Sequence, residues 1–142
     1  MKDFRLILCV ACLVVFSGCT STTKDRVLDA NTGKGQVQLR VIQSRSFDTN
    51  DKKKTLRAVI ATLQDLSFVV DKADLELGSV SGTKLDRYVV RMTVSVRPHN
   101  KSQMLVRANA QYNDKPILEP KPYQDFFNSL SKALFLDANA VE

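Results

Sequence analysis

Histidine, the side chain best suited to moving protons near neutral pH, occurs once in this chain, at His99 between Pro98 and Asn100. General acid–base work needs a second group to orient the ring and a pocket to hold the substrate, and a lone histidine beside a proline has neither in its surroundings. The acidic pairs Asp71/Asp74 and Asp74/Glu76 have carboxylates near enough in sequence for a dyad or a calcium loop. They lack the twelve-residue spacing and closing glutamate of an EF-hand, so they read as a solvated turn. Ser79-Val80-Ser81-Gly82 has no strand-to-helix elbow to activate a serine, and Gly33-Lys34-Gly35 lacks the spacing that wraps a phosphate. No residue is therefore assigned to catalysis or to a metal, no cofactor is implied, and the chain is read as a non-enzyme. The remaining reactive side chains are three cysteines, Cys9, Cys12 and Cys19, all within the first twenty residues.

Those cysteines sit in or beside an apolar run from Leu6 to Phe16, preceded by Lys2 and Arg5 and followed by the small residues Ser17 and Gly18. A positive start, a short apolar stretch and a small-residue end are the three parts of a secretory signal. Eleven residues rise only about 16 Å as a helix, against a hydrocarbon core about 30 Å thick, so the run is too short for a comfortable span. The tetrad Phe16-Ser17-Gly18-Cys19 resembles the lipobox that closes a bacterial lipoprotein signal. Asp3 in the charged region and Phe16 at the first tetrad position depart from its usual pattern. The resemblance implies cleavage between Gly18 and Cys19 and acylation of Cys19, which anchors the new N-terminus in a membrane through lipid rather than through a spanning helix. Thr20 follows Cys19 where an aspartate would mark retention. For a Gram-negative lipoprotein this implies the outer membrane, on the periplasmic side; a Gram-positive origin would imply the external face of the cytoplasmic membrane.

Cleavage there would remove Cys9 and Cys12 and leave Cys19 blocked, so the remainder has no thiol to pair and must be held by its core. The organisation expected is a signal peptide over 1–18, a lipidated N-terminus and flexible polar tether over 19–35, and one domain over 36–142, a length suited to a single core. The net charge of +6 falls to +5 with the loss of Lys2, Arg5 and Asp3, which is too little to indicate a nucleic-acid partner.

The elements of that domain follow from periodicity. Val37, Leu39 and Val41 alternate with polar residues and predict a strand from Gln36 to about Arg45. Asp48-Thr49-Asn50-Asp51 supplies capping oxygens. Leu56, Val59, Ile60 and Leu63 then form an apolar stripe opposite Lys52, Lys53, Lys54 and Arg57, which predicts an amphipathic helix. Residues 67–84 read either as two short strands or as one bent strand. Alternation from Tyr88 to Val96 and from Met104 to Tyr112 predicts a hairpin around residues 98–103, with Val96 opposite Met104 and all the apolar side chains on one face. After the prolines of 116–122, Tyr123, Phe126, Phe127, Leu130, Ala133 and Leu134 mark a second amphipathic helix ending near Leu136.

Two single-stripe helices and a sheet with one apolar face predict an α+β two-layer sandwich. Both helices pack on one face of a four- to five-stranded, mainly antiparallel sheet, in the order β-α-β-β-β-(β)-α. The segment Leu63-Gln64-Asp65-Leu66-Ser67-Phe68-Val69-Val70-Asp71, with Leu77-Gly78-Ser79-Val80, is similar to a pattern in small envelope lipoproteins, with Ser67 where glycine often stands. Lipoproteins of the β-barrel assembly machinery and of lipopolysaccharide transport share this helices-on-one-face architecture.

The other face of the sheet is then polar and uncovered. On the expected register Arg91 lies opposite Asn109 and Thr93 opposite Arg107, with Arg97 at one end, which makes a candidate interaction face of Arg91, Arg97, Arg107 and Asn109. Guanidinium forks suit carboxylate or phosphate. The expected role is a membrane-anchored accessory protein of an envelope assembly, export or efflux complex, with a protein partner and neither metal nor nucleic acid. The alternative is a binder of an envelope ligand such as lipopolysaccharide or peptidoglycan.

Overall fold

The computed structural model describes residues 30–139, so the expected signal over 1–18, the cleavage site at Gly18 and Cys19, and the tether as far as residue 29 lie outside the described residues. The chain divides into two compact units, Met1–Gly33 and Lys34–Glu142, and the sheet and its packed helices belong to the second.

Helix α1 spans Ala30–Ile42 and leads directly into strand β1, Ser44–Phe47. This corrects the strand expected over Gln36–Arg45 and takes residues 30–35 of the expected tether into helix. Three alternating apolar residues are too short a pattern to fix a period, and the helix places Leu39 and Ile42, at i and i+3, on one side and Val37 and Val41, at i and i+4, on the other. Leu39 and Ile42 pack against the core, while Val37 and Val41 are exposed. The ladder begins at Gln43, whose carbonyl accepts from Ala108 N at 2.8 Å.

Helix α2, Lys52–Asp65, starts where its cap chemistry lies, with Asp51 Oδ1 accepting from Lys54 N at 2.9 Å. It ends in a Schellman turn: Phe68 N donates to Leu63 O and Ser67 N to Gln64 O, with Ser67 in the left-handed region at φ 66°. That conformation is what glycine adopts freely and serine only at a cost. Strands β2, Val69–Asp74, and β3, Ser79–Asp86, then form a hairpin, so residues 67–84 are two strands. Gly78 closes its turn at φ 71°, where a Cβ would stand 2.5 Å from the Val96 carbonyl.

Strands β4, Tyr88–Pro98, and β5, Met104–Tyr112, complete the meander, the two-residue β6, Lys115–Pro116, pairs with the end of β5, and helix α3 runs Pro120–Asn139. All the pairings are antiparallel, in the order β1-β5-β4-β3-β2 with β6 on the β5 edge beside β1. The architecture is the α+β sandwich implied by the sequence, with an additional helix before β1 and a six-stranded sheet.

The core lies between the sheet and helices α2 and α3. Leu56, Val59 and Leu63 of α2, and Tyr123, Phe126, Phe127 and Leu130 of α3, meet Val80, Met92, Val94, Val96, Val106 and Ala108 from the strands. One polar node is buried within it: Tyr123 Oη donates to Ile117 O at 2.7 Å and accepts from Ala110 N at 3.3 Å and Gln43 Nε2 at 3.2 Å. A buried tyrosine hydroxyl needs such partners, and these tie α3, β5, the segment before α3 and the residue between α1 and β1 together.

Candidate functional site

The face of the sheet turned away from α2 and α3 holds every sheet residue proposed for interaction. Side chains alternate across a strand, so burial of Met92, Val94 and Val96 sends Arg91, Thr93, Ser95 and Arg97 to the opposite side. Burial of Met104, Val106, Ala108 and Ala110 does the same for Leu105, Arg107, Asn109 and Gln111.

The observed register differs from the expected one. Val96 pairs with Val106 rather than Met104, Arg91 with Gln111 rather than Asn109, and Thr93 with Asn109 rather than Arg107. Pro98 and Met104 close the hairpin around a five-residue loop, in which His99 N donates to Gln103 O at 2.9 Å. A slip of two residues leaves every side chain on its own face, which is why alternation identified the faces correctly and the register incorrectly.

In cross-strand rows, Ser44 of β1, Arg107 of β5, Ser95 of β4 and Ser79 of β3 stand side by side. The next row toward the hairpin loop has Ser46, Leu105 and Arg97, so Arg97 and Arg107 are diagonal neighbours. In the other direction come Asn109, Thr93, Ser81 and Lys72, then Gln111, Arg91, Thr83 and Val69. Arg91 is thus two rows from Arg107, one more than expected. The three guanidiniums spread along about 20 Å of β4 and β5, from Arg91 to Arg97 at about 3.4 Å per residue.

Arg91, Arg97 and Asn109 are exposed, and Arg107 is half-buried. The Arg107 Nε is covered and has no hydrogen-bond partner. The one ion pair among the described residues, Lys121 to Asp125 at 2.8 Å, belongs to α3. Two carboxylates of β2 are engaged at that edge of the sheet: Asp71 accepts from Thr83 Oγ1 at 2.7 Å and Asp74 from Leu77 N at 2.8 Å. The centre of the face presents guanidiniums among hydroxyls and amides, with no carboxylate of the described residues bridged to them. Such a surface can bind anionic groups; it has no paired nucleophile and base.

The other sequence candidates have structural places. His99 is exposed in the β4–β5 loop, and Lys52 of the basic run donates to the Glu76 carbonyl at 2.7 Å, bracing the β2–β3 turn. Among the described residues, no group of three His, Cys, Asp or Glu side chains could hold a metal ion, and no helix is long and apolar enough to cross a membrane. Sequence reasoning missed the Gln43–Tyr123 node, whose partners are 80 residues apart and give no local signal.

No family model matches the chain, and no curated protein matches it. One similar solved structure is described as "Crystal structure of the adenylate sensor from AMP-activated protein kinase in complex with 5-aminoimidazole-4-carboxamide 1-beta-D-ribofuranotide (ZMP)". It is 12% identical, with a TM-score of 0.47, over 64% of this chain and 94% of that one. No fold, ligand or activity is carried over from a likeness at this level.

Proposed function

We propose that this chain is a non-enzymatic accessory lipoprotein of a bacterial envelope assembly, export or efflux complex. In this reading Cys19 carries the lipid, the outer membrane holds it on the periplasmic side, and the open face of the sheet docks an acidic surface of a protein partner. The anchor rests on the resemblance of Phe16-Ser17-Gly18-Cys19 to a lipobox. The observation that carries the docking role is the set Arg91, Arg97 and Arg107, three guanidiniums that no carboxylate of the described residues bridges, on a face that neither α2 nor α3 covers. Arginine is favoured at interfaces because its planar fork engages a carboxylate through two parallel hydrogen bonds.

The test is co-purification from membranes of wild type and of Arg91→Glu/Arg107→Glu. Loss of a stoichiometric partner in the variant is expected, and unchanged recovery would remove the docking role. Mass spectrometry of the native chain tests the anchor separately. A diacylated cysteine at the N-terminus is expected, and an unmodified Cys19 thiol or an intact leader would exclude it.

A further inference from the structure

A cleft lies on the helix-covered side of the sheet, where the end of α2 and the start of α3 leave part of β3, β4 and β5 between them. It is an open cleft of about 430 Å³, within the roughly 300–1,000 Å³ of small-molecule sites. Phe68, Met92 and Ala110 form its buried floor, and half-buried Leu66, Val90 and Ile117 form its walls. The Ile117 wall is fixed from two sides, since its N–H donates to Ala110 O at 2.9 Å and its carbonyl accepts from Tyr123 Oη at 2.7 Å. The cleft is therefore braced by the buried polar node rather than formed by a loose strap.

The lining restricts what can enter. Among the described residues, the buried polar side-chain atoms without a partner are Thr62 Oγ1 and Arg107 Nε, and neither lines the cleft. The floor side chains are apolar, so the deep part of a ligand must be hydrocarbon, because a polar group there would lose its water without compensation. The rim carries charge. Lys121 is matched by Asp125, and Glu119 is exposed to solvent, whereas Lys84 is half-buried and donates to the Leu66 carbonyl at 3.2 Å. An ammonium has three donors, and one is accounted for by that carbonyl.

We infer that this cleft is a binding site for a single acyl chain with an anionic head, a fatty acid or a lysophospholipid, its chain on Phe68, Met92 and Ala110 and its carboxylate or phosphate at Lys84. The inference does not depend on acylation of Cys19 or on docking by the arginine face. It is tested on the full chain in membranes with a sixteen-carbon fatty acid bearing a mid-chain diazirine, followed by irradiation and peptide mass spectrometry. Adducts are expected on the peptides containing Phe68, Val90–Met92 and Ile117. Competition by palmitate and by lysophosphatidylglycerol, compared with each other, identifies the preferred head. Ile117→Trp, which fills the cleft from its wall, is expected to lower labelling at least tenfold. Lys84→Met, which keeps the stem and removes the charge, is expected to weaken competition by palmitate several-fold while leaving that by hexadecanol unchanged, a difference that general loss of folding would not produce. Labelling scattered over the surface, or equal competition by palmitate and hexadecanol in both wild type and Lys84→Met, would overturn it.

Discussion

The two faces of the sheet are built from the same strands in alternation, yet they answer to different physics. On the helix-covered face, Val94, Val96, Val106 and Ala108 have no exposed surface, and their neighbours on α2 and α3 are equally enclosed. On the other face, Arg91, Thr93, Arg97, Asn109 and Gln111 stay in contact with solvent. Burial makes the first face responsible for stability, since each large apolar side chain there contributes about 1.5–3 kcal/mol relative to exposure. The second face contributes little to stability, which leaves its residues available for recognition.

Substitutions should separate the two. Phe126→Ala, beneath the helix layer, is expected to cost about 3–5 kcal/mol in urea unfolding, because it removes a fully buried ring that packs edge-on to Phe127 at 5.2 Å. A loss below about 1 kcal/mol would mean that α3 is not seated as described. Gly78→Ala should destabilise by more than about 1 kcal/mol, since its positive φ and the Val96 carbonyl 2.5 Å from the added Cβ both oppose a side chain. A thermal melt unchanged from wild type would contradict that turn geometry. Ser67→Gly has the opposite sign: relieving a left-handed serine at the end of α2 should stabilise by about 1 kcal/mol, visible as a raised midpoint in urea. Arg91→Glu, at an exposed position on the open face, should move stability by about 0.5 kcal/mol or less, as surface changes do. A large loss of stability would show that the open face contributes to the fold and would weaken the contrast.

The same contrast explains what was legible beforehand. The helices around Leu56–Leu63 and Tyr123–Leu130 and the hairpin from Tyr88 to Tyr112 were readable because their periods persist for several turns or for ten residues. Residues 36–42 are helix where alternation predicts strand, because three alternating apolar residues are too short a pattern to fix a period, and the pairing partner that fixes β1 lies on β5, at residues 104–107. Register failed for a related reason: alternation is blind to a shift of two, and only the five-residue loop distinguishes Val96–Val106 from Val96–Met104. Of the candidate site, residue membership of the open face was legible, while the spacing of Arg91 from Arg107 was not. The cleft beside Lys84 draws on segments near residues 66, 90, 110 and 117, whose meeting no local pattern announces.

In-cell photo-crosslinking tests the division of labour most directly, with p-benzoylphenylalanine placed either at Thr93 in the centre of the arginine face or at Lys53, exposed on α2 of the opposite layer. The prediction is one discrete protein adduct from Thr93, lost when Arg91 and Arg107 are both changed to Glu, and none from Lys53. Adducts from Lys53 alone, or a Thr93 adduct unaffected by the charge reversals, would contradict the account.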